Sequence, residues 1–234
     1  MVKIIGISGQ AGSGKDTAAD YLVDECGFVK VALADPIKRY CMDAFAFTEE
    51  QLWGPSKFRN APDKRYPRME PVLVDQDEEE MRNFPLTPRL ALQRIGTEGF
   101  RHCYPDVWVE YAIRTAKNLI KAAEAGAPVR YDKAIGIEQD HDLPPCPYKG
   151  VVISDVRFEN EIKAIYKAKG RTVRIIGFGQ GLTGEAREHS SEKDMRMIPD
   201  SEFDFVIVNG GTLEELKEKV CSIPGRKRKA SKHL

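Results

Sequence analysis

The sequence has no apolar run that approaches a membrane span and no C-x-x-C pair. The first absence removes a transmembrane helix, which needs about 20 consecutive apolar residues. The second argues against a zinc site, and the scatter of Cys26, Cys41, Cys103, Cys146 and Cys221 argues against a disulfide framework. A reducing, cytoplasmic setting fits. Net charge of either sign is also missing, because 36 Lys and Arg balance 36 Asp and Glu. Only residues 226–234 are strongly basic, with five Lys or Arg, and the body before them is mildly acidic. A solvated, disordered tail is expected there, without stable nucleic-acid binding. The chain enters an apparent strand at Val2, leaving no room for a secretory leader. No internal repeat is visible, and the 234 residues suffice for one substantial core, so a single domain over 1–225 is expected.

What is present is a phosphate-binding junction. Val2-Lys3-Ile4-Ile5-Gly6-Ile7-Ser8 reads as a strand, and Gly9-Gln10-Ala11-Gly12-Ser13-Gly14-Lys15-Asp16-Thr17 follows with the G-x-x-x-x-G-K spacing of a P-loop opening a helix. Gly9, Gly12 and Gly14 let the backbone curl so that successive N–H groups converge on a phosphate, and the helix adds the positive end of its dipole. Lys15 is expected to reach the β- and γ-phosphates as a point charge, which implies a bound nucleoside triphosphate. Asp16 stands where most P-loops place the Ser or Thr that ligates Mg²⁺, so Thr17 is left to supply the hydroxyl. A carboxylate beside reacting phosphates is costly unless it meets a cation or a proton donor. Asp16 is therefore a metal holder, a group orienting an acceptor phosphate, or a helix N-terminal acid that complements the dipole.

Along the chain, Thr17–Val23 continues with helical spacing and Gly27 closes it, and Phe28–Leu33 reads as a second strand. Asp35 is expected to cap a helix running to about Phe45, with Pro36 at its first position. Residues 55–88, rich in proline and charge, read as a long irregular insertion, and 131–149 as a second one. Two helices, Pro88–Tyr104 and Asp106–Ala125, break at Pro105. Further strands are expected at Val151–Asp155, Thr172–Ile176 and Phe205–Val208, with helices over Asn160–Lys169 and Leu213–Cys221. Strands alternating with helices predict an α/β fold of three layers, with a mainly parallel five-stranded sheet of P-loop NTPase type.

Val151-Val152-Ile153-Ser154-Asp155 has the shape of a Walker B element, whose carboxylate holds Mg²⁺ directly or through water, although Asp155 also reads as a plain helix cap. Arg157 leaves the sheet at its carboxyl edge, where ligands bind in open α/β sheets, as a candidate phosphate clamp. Glu161 lies one helical turn on and is expected to brace the Arg157 guanidinium, or else to form a solvent-facing pair. In the helical region, Gln93 can meet a base edge, Arg94 and Arg101 can clamp a monophosphate, and Trp108 can pack on a ring or in the core. Gly96-Thr97 in mid-helix is a local weakness that calls for close approach of a ligand or another helix. The segment 177–196, with four glycines and Arg187, suits a lid that excludes competing water.

These blocks together resemble the deoxynucleoside monophosphate kinases of tailed bacteriophages. The resemblance rests on Ser13-Gly14-Lys15-Asp16-Thr17, on Leu92-Gln93-Arg94-Ile95-Gly96-Thr97, on Trp108 after Pro105-Asp106, on Ser154-Asp155-Val156-Arg157-Phe158 with Asn160-Glu161, and on His189-Ser190-Ser191-Glu192. It implies an adenylate-kinase-like core with a helical acceptor region and a lid, and transfer of the ATP γ-phosphate to a dNMP. It further implies Mg²⁺ as cofactor and small nucleotides as partners, no membrane, the cytoplasm of an infected bacterial host, and a homodimer as an open option. By that resemblance Lys15, Asp16, Asp155, Arg157 and Glu161 are catalytic. Gly9, Gly12, Ser13, Gly14, Lys15, Thr17 and Arg187 bind ATP, while Thr17, Asp16 and Asp155 hold the metal. Gln93, Arg94, Gly96, Thr97, Arg101 and Trp108 bind the dNMP. The alternatives are a P-loop kinase for another acceptor, such as dephospho-coenzyme A or phosphomevalonate, and an NTP-hydrolysing switch. A GTPase switch is disfavoured because no N-K-x-D motif is present.

Overall fold

The computed structural model describes residues 3–75, 78–177, 195 and 197–226. By its internal contacts the chain divides into two units: one runs through Leu33 and resumes at Asp106, and the other is Ala34–Pro105.

The first unit is built on five strands: β1 (Ile4–Gly9), β2 (Phe28–Ala32), β7 (Gly150–Ser154), β8 (Arg171–Gly177) and β9 (Phe205–Asn209). They lie in the order β2-β7-β1-β8-β9, and every pair is parallel, as the alternation of strands and helices predicts. The two-residue period of a strand divides its side chains between the sheet's faces. Ile5, Ile7, Val152, Val173 and Ile175 enter one core with Ala18, Ala19 and Leu22 of α1 (Lys15–Asp24) and with Leu216 and Val220 of α8 (Leu213–Cys221). Ile4, Val29, Val31, Val151 and Ile153 enter the other. There they meet Val109, Ala112, Ala116 and Leu119 of α6 (Val107–Glu124), and Ile162 and Ile165 of α7 (Glu159–Lys167). Helix, sheet and helix thus form three layers. A buried residue of this kind contributes about 1.5–3 kcal/mol relative to exposure.

The expected irregular stretch 131–149 is partly ordered in a different way. β5 (Val129–Asp132) and β6 (Gly136–Gln139) form an antiparallel hairpin before an irregular run leads into β7. Asp132 accepts hydrogen bonds from the N–H groups of Ala134 (2.7 Å) and Ile135 (3.1 Å), so the aspartate itself builds the turn.

The second unit contains α2 (Asp35–Phe45), α3 (Glu49–Trp53), α4 (Ser56–Asn60), the hairpin β3 (Met69–Asp75) and β4 (Glu78–Asn83), and α5 (Pro88–Gln93). Here too the sequence reading needs correction. Ala34, not Asp35, is the N-cap of α2; Asp35 lies inside the helix, buried, and accepts the Trp53 indole N–H at 2.9 Å. The irregular insertion expected at 55–88 holds α4 and the hairpin. Its strands carry few β-branched or aromatic residues, and Met69 and Met81 lie in the open, so no apolar alternation advertised them. Nor is the helix expected from Pro88 to Tyr104 uniform. From Arg94 to Arg101 the backbone widens into a π-helix, a rare form that recurs at functional sites.

Candidate active site

The turn from β1 into α1 puts the P-loop at the carboxyl edge of the sheet. Gly14 caps α1 in the left-handed region at φ 89°, where a side chain is strained, and a Cβ there would stand 2.4 Å from Asn209 Nδ2. That amide sits at the end of β9 and donates to the Ser13 carbonyl at 3.0 Å, tying the loop to the far side of the sheet. Gly9 admits an equally close approach, since a Cβ would meet Ser13 Oγ at 2.5 Å. No side chain caps the α1 N-terminus, so its first-turn N–H groups remain for a ligand.

Around this cradle lie charges and orphaned hydroxyls. Lys15, with a side chain 12% exposed, points its ammonium to Asp16 Oδ2 (3.4 Å) and Asp155 Oδ1 (3.7 Å). Asp155 follows the last residue of β7 at φ 65°, a left-handed conformation that aspartate tolerates better than most side chains. Its turn delivers the Val156 N–H to the Ile7 carbonyl at 3.1 Å, locking the chain's exit to β1. Arg157 Nη2 stands 4.0 Å from Asp155 Oδ1. Glu161, 3% exposed, accepts from the backbone N–H groups of Arg157 (2.7 Å) and Phe158 (3.1 Å). It therefore fixes the backbone from which the guanidinium extends and closes the N-terminus of α7 as a capping acid. The buried hydroxyls of Ser8, Ser13 and Ser154 have no hydrogen-bond partner among the described residues. Such groups are rare and call for a ligand or ion.

Lys15, Asp16, Thr17, Asp155, Arg157 and Glu161 thus gather in one place with Gly9, Gly12, Ser13 and Gly14. Gln93 ends α5, and Arg94, Gly96, Thr97 and Arg101 lie on the π-helix of the second unit. There Arg94 Nη2 stands 3.7 Å from Glu70 Oε1, and a Cβ on Gly96 would meet Ile37 Cδ1 at 3.2 Å. The weak point at Gly96 is a close helix approach, one of the two reasons expected for it. Trp108 lies on α6 and packs partly buried against the core of the first unit. Arg187 and nearly all of the expected lid lie outside the described residues, as does the basic tail beyond Arg226.

Sequence reasoning missed several neighbours. Asn209 reaches the P-loop across 196 positions, too far for any local pattern. Lys30 on β2 pairs with Asp20 (3.0 Å) and stands 4.0 Å from Asp16 Oδ1. Asn160 donates to Asp106 at 2.6 Å, joining the start of α7 to the N-cap of α6.

Residues 3–80 match the family described as deoxynucleotide monophosphate kinase. A protein of Acanthamoeba polyphaga mimivirus named "Putative deoxynucleotide monophosphate kinase" is 31% identical over 219 residues, covering 94% of each chain. Among solved structures, an unliganded sugar kinase from Janibacter sp. HTCC2649 covers 95% of this chain and 94% of its own at 14% identity and a TM-score of 0.40. TT1252 from Thermus thermophilus covers 96% and 97% at 19% identity and a TM-score of 0.42. Scores this low carry no functional argument.

Proposed function

The chain belongs to the deoxynucleotide monophosphate kinase family, and from that membership we propose that it transfers the γ-phosphoryl group of ATP to the phosphate of a deoxynucleoside 5'-monophosphate. The observation that carries the reading is Lys15, held by Asp16 and Asp155 at the mouth of a glycine-built, amide-lined cradle.

The residues fit a triphosphate with Mg²⁺. Unpaired Ser13, the open first turn of α1 and the Lys15 ammonium supply donors for phosphate oxygens. The Thr17 hydroxyl and the carboxylates of Asp155 and Asp16 are the groups that would hold the metal, since Mg²⁺ takes one or two carboxylates beside substrate phosphates. Bound there, Mg²⁺ would neutralise phosphate charge and orient the chain of phosphates.

The protein's task is then positioning and electrostatics. An oxygen of the acceptor monophosphate attacks the γ-phosphorus, the bond to the β-phosphate oxygen breaks, and ADP leaves with that electron pair. Lys15 exchanges its carboxylate neighbours for the phosphate oxygens on which charge builds. Arg157, on a backbone fixed by Glu161, grips phosphate in a planar, bidentate manner that lysine cannot copy. Gln93, Arg94, Gly96, Thr97, Arg101 and Trp108 are assigned to the acceptor, and Arg187 to the triphosphate, on the sequence resemblance.

A coupled assay for ADP tests the reading with dAMP, dCMP, dGMP, dTMP, their ribose forms, dephospho-coenzyme A and phosphomevalonate as acceptors. Turnover that requires one or more dNMPs is expected. Turnover only with one of the other acceptors, or with none added, would refute it.

A further inference from the structure

Six cations gather at the edge of the first unit's sheet opposite the P-loop. A cavity of about 760 Å³ there takes in Lys3 before β1, Lys117 and Lys121 on α6, Lys169 and Arg171 at the entry to β8, and Arg226. Among the described residues Glu124 is the one carboxylate in its wall, and it is already paired with Lys3. Lys117, Lys121 and Lys169 have no ion-pair partner among the described residues. Like charges so placed repel one another unless an anion joins them. Because a six-residue strand spans about 20 Å, this edge is separate from the phosphoryl-transfer site.

Arg171 adds a buried charge to the cluster. Its side chain is 9% exposed, yet Nη1 has no hydrogen bond and only a long ion pair, 3.8 Å, to Asp204. Nη2 reaches the Arg226 carbonyl at 3.5 Å. Nη1 is itself sealed from solvent, so Arg171 contributes a fixed charge behind the wall and not a free donor. Lys169 reaches the wall from the end of α7, where its left-handed backbone at φ 61° forms a helix cap: its N–H donates to the Tyr166 carbonyl and that of Gly170 to the Ile165 carbonyl. Between the cations the lining is apolar, from Ile4, Ile120, Ala168 and Pro224. The cavity is of ordinary small-molecule size.

We propose that this cavity binds the polyphosphate of a small phosphorylated molecule, as a second anion site distinct from the P-loop. The phosphates lie on the lysines, with the Arg171 charge behind them, and whatever the phosphate chain carries lies on the apolar patch. The apolar lining between the cations favours a ligand with an apolar body over the extended backbone of a nucleic acid.

The test titrates inorganic tripolyphosphate calorimetrically into the full chain carrying Lys15→Ala, with and without Lys117→Gln and Lys121→Gln. Both lysines are exposed on α6, so the fold should survive, and circular dichroism checks this. A saturable component that the paired substitution weakens about tenfold or more is expected, still measurable at about 0.15 M salt. An ATP arm then separates the sources: if that same component is tighter for ATP than for tripolyphosphate, the ligand is a nucleotide, and equal binding identifies the phosphate chain alone. Three results would overturn the proposal: no saturable site, an affinity indifferent to the paired substitution, or displacement by duplex DNA that strengthens with duplex length. None of them bears on the kinase reading, which rests on the opposite edge.

Discussion

Lys15 holds a nearly buried ammonium between two carboxylates, so its surroundings change most when a triphosphate enters. On the mechanism proposed above, Lys15→Ala removes the charge that follows the migrating phosphoryl group. Interactions of that kind are worth roughly 3–4 kcal/mol, so kcat should fall by about a hundredfold or more while the fold persists. Steady-state kinetics beside a circular dichroism spectrum check this, and undiminished turnover in the folded variant would remove Lys15 from the mechanism. Asp155 and Asp16 differ in setting. Asp155 is half-buried in a strained turn that asparagine also tolerates, whereas Asp16 is largely exposed and shared between Lys15 and Lys30. Asp155→Asn therefore alters charge and leaves the backbone in place. If Asp155 supports the metal, its lost activity should return in part as Mg²⁺ is raised. Rescue of Asp155→Asn but not of Asp16→Asn would assign Asp16 to the acceptor phosphate, and no loss in either would make both plain helix-terminal acids.

Elements built on local pattern were legible in the sequence. The five core strands fall within a residue or so of their expected places, and Leu213–Cys221 ends where the apolar period ends. The glycine-built turn from β1 into α1 was legible because its residues stand together in the chain. What escaped depends on partners distant in the chain or on features with little apolar signal. The hairpin β3–β4 pairs charged strands with no strong apolar alternation, and the π-helix at Arg94–Arg101 is a matter of hydrogen-bond register that residue types barely encode. At the site, Glu161 was expected to brace the Arg157 guanidinium or to form a solvent-facing pair; it is found buried, accepting from the backbone N–H groups of Arg157 and Phe158, and Asn209 gave no local sign at all. That long-range tie makes a prediction at the level of the loop. Gly14→Ala adds left-handed strain of about 1–2 kcal/mol and crowds Asn209, whereas Asn209→Ala only frees the Ser13 carbonyl. Both should weaken ATP binding in calorimetry, Gly14→Ala the more. Equal affinities for the two variants and the parent would mean that the loop's shape does not depend on this tie.

Acid should expose a weakness in the second unit. Asp63 receives Arg65 Nη2 at 2.6 Å, and this contact holds its carboxyl down at about 2. A carboxyl lower in the folded than in the unfolded chain contributes stability above its ordinary value near 3.8 and loses it as pH falls through about 2. Asp63→Asn should therefore lower the melting temperature at pH 7 and flatten its decline between about pH 4 and 2, as read by thermal scans. An unchanged acid limb would show that the pair contributes nothing.

The first unit pairs a parallel three-layer core with a glycine cradle, a lysine between carboxylates and buried hydroxyls without a hydrogen-bond partner among the described residues, and at this edge a phosphoryl group is proposed to move between nucleotides. The most direct measurement follows the label from γ-³²P-ATP on thin-layer plates, with Mg²⁺ and each dNMP in turn. Label is expected in a deoxynucleoside diphosphate, in step with the ADP formed and nearly abolished in Lys15→Ala. Label in inorganic phosphate alone, released at the same rate without any dNMP, would contradict it.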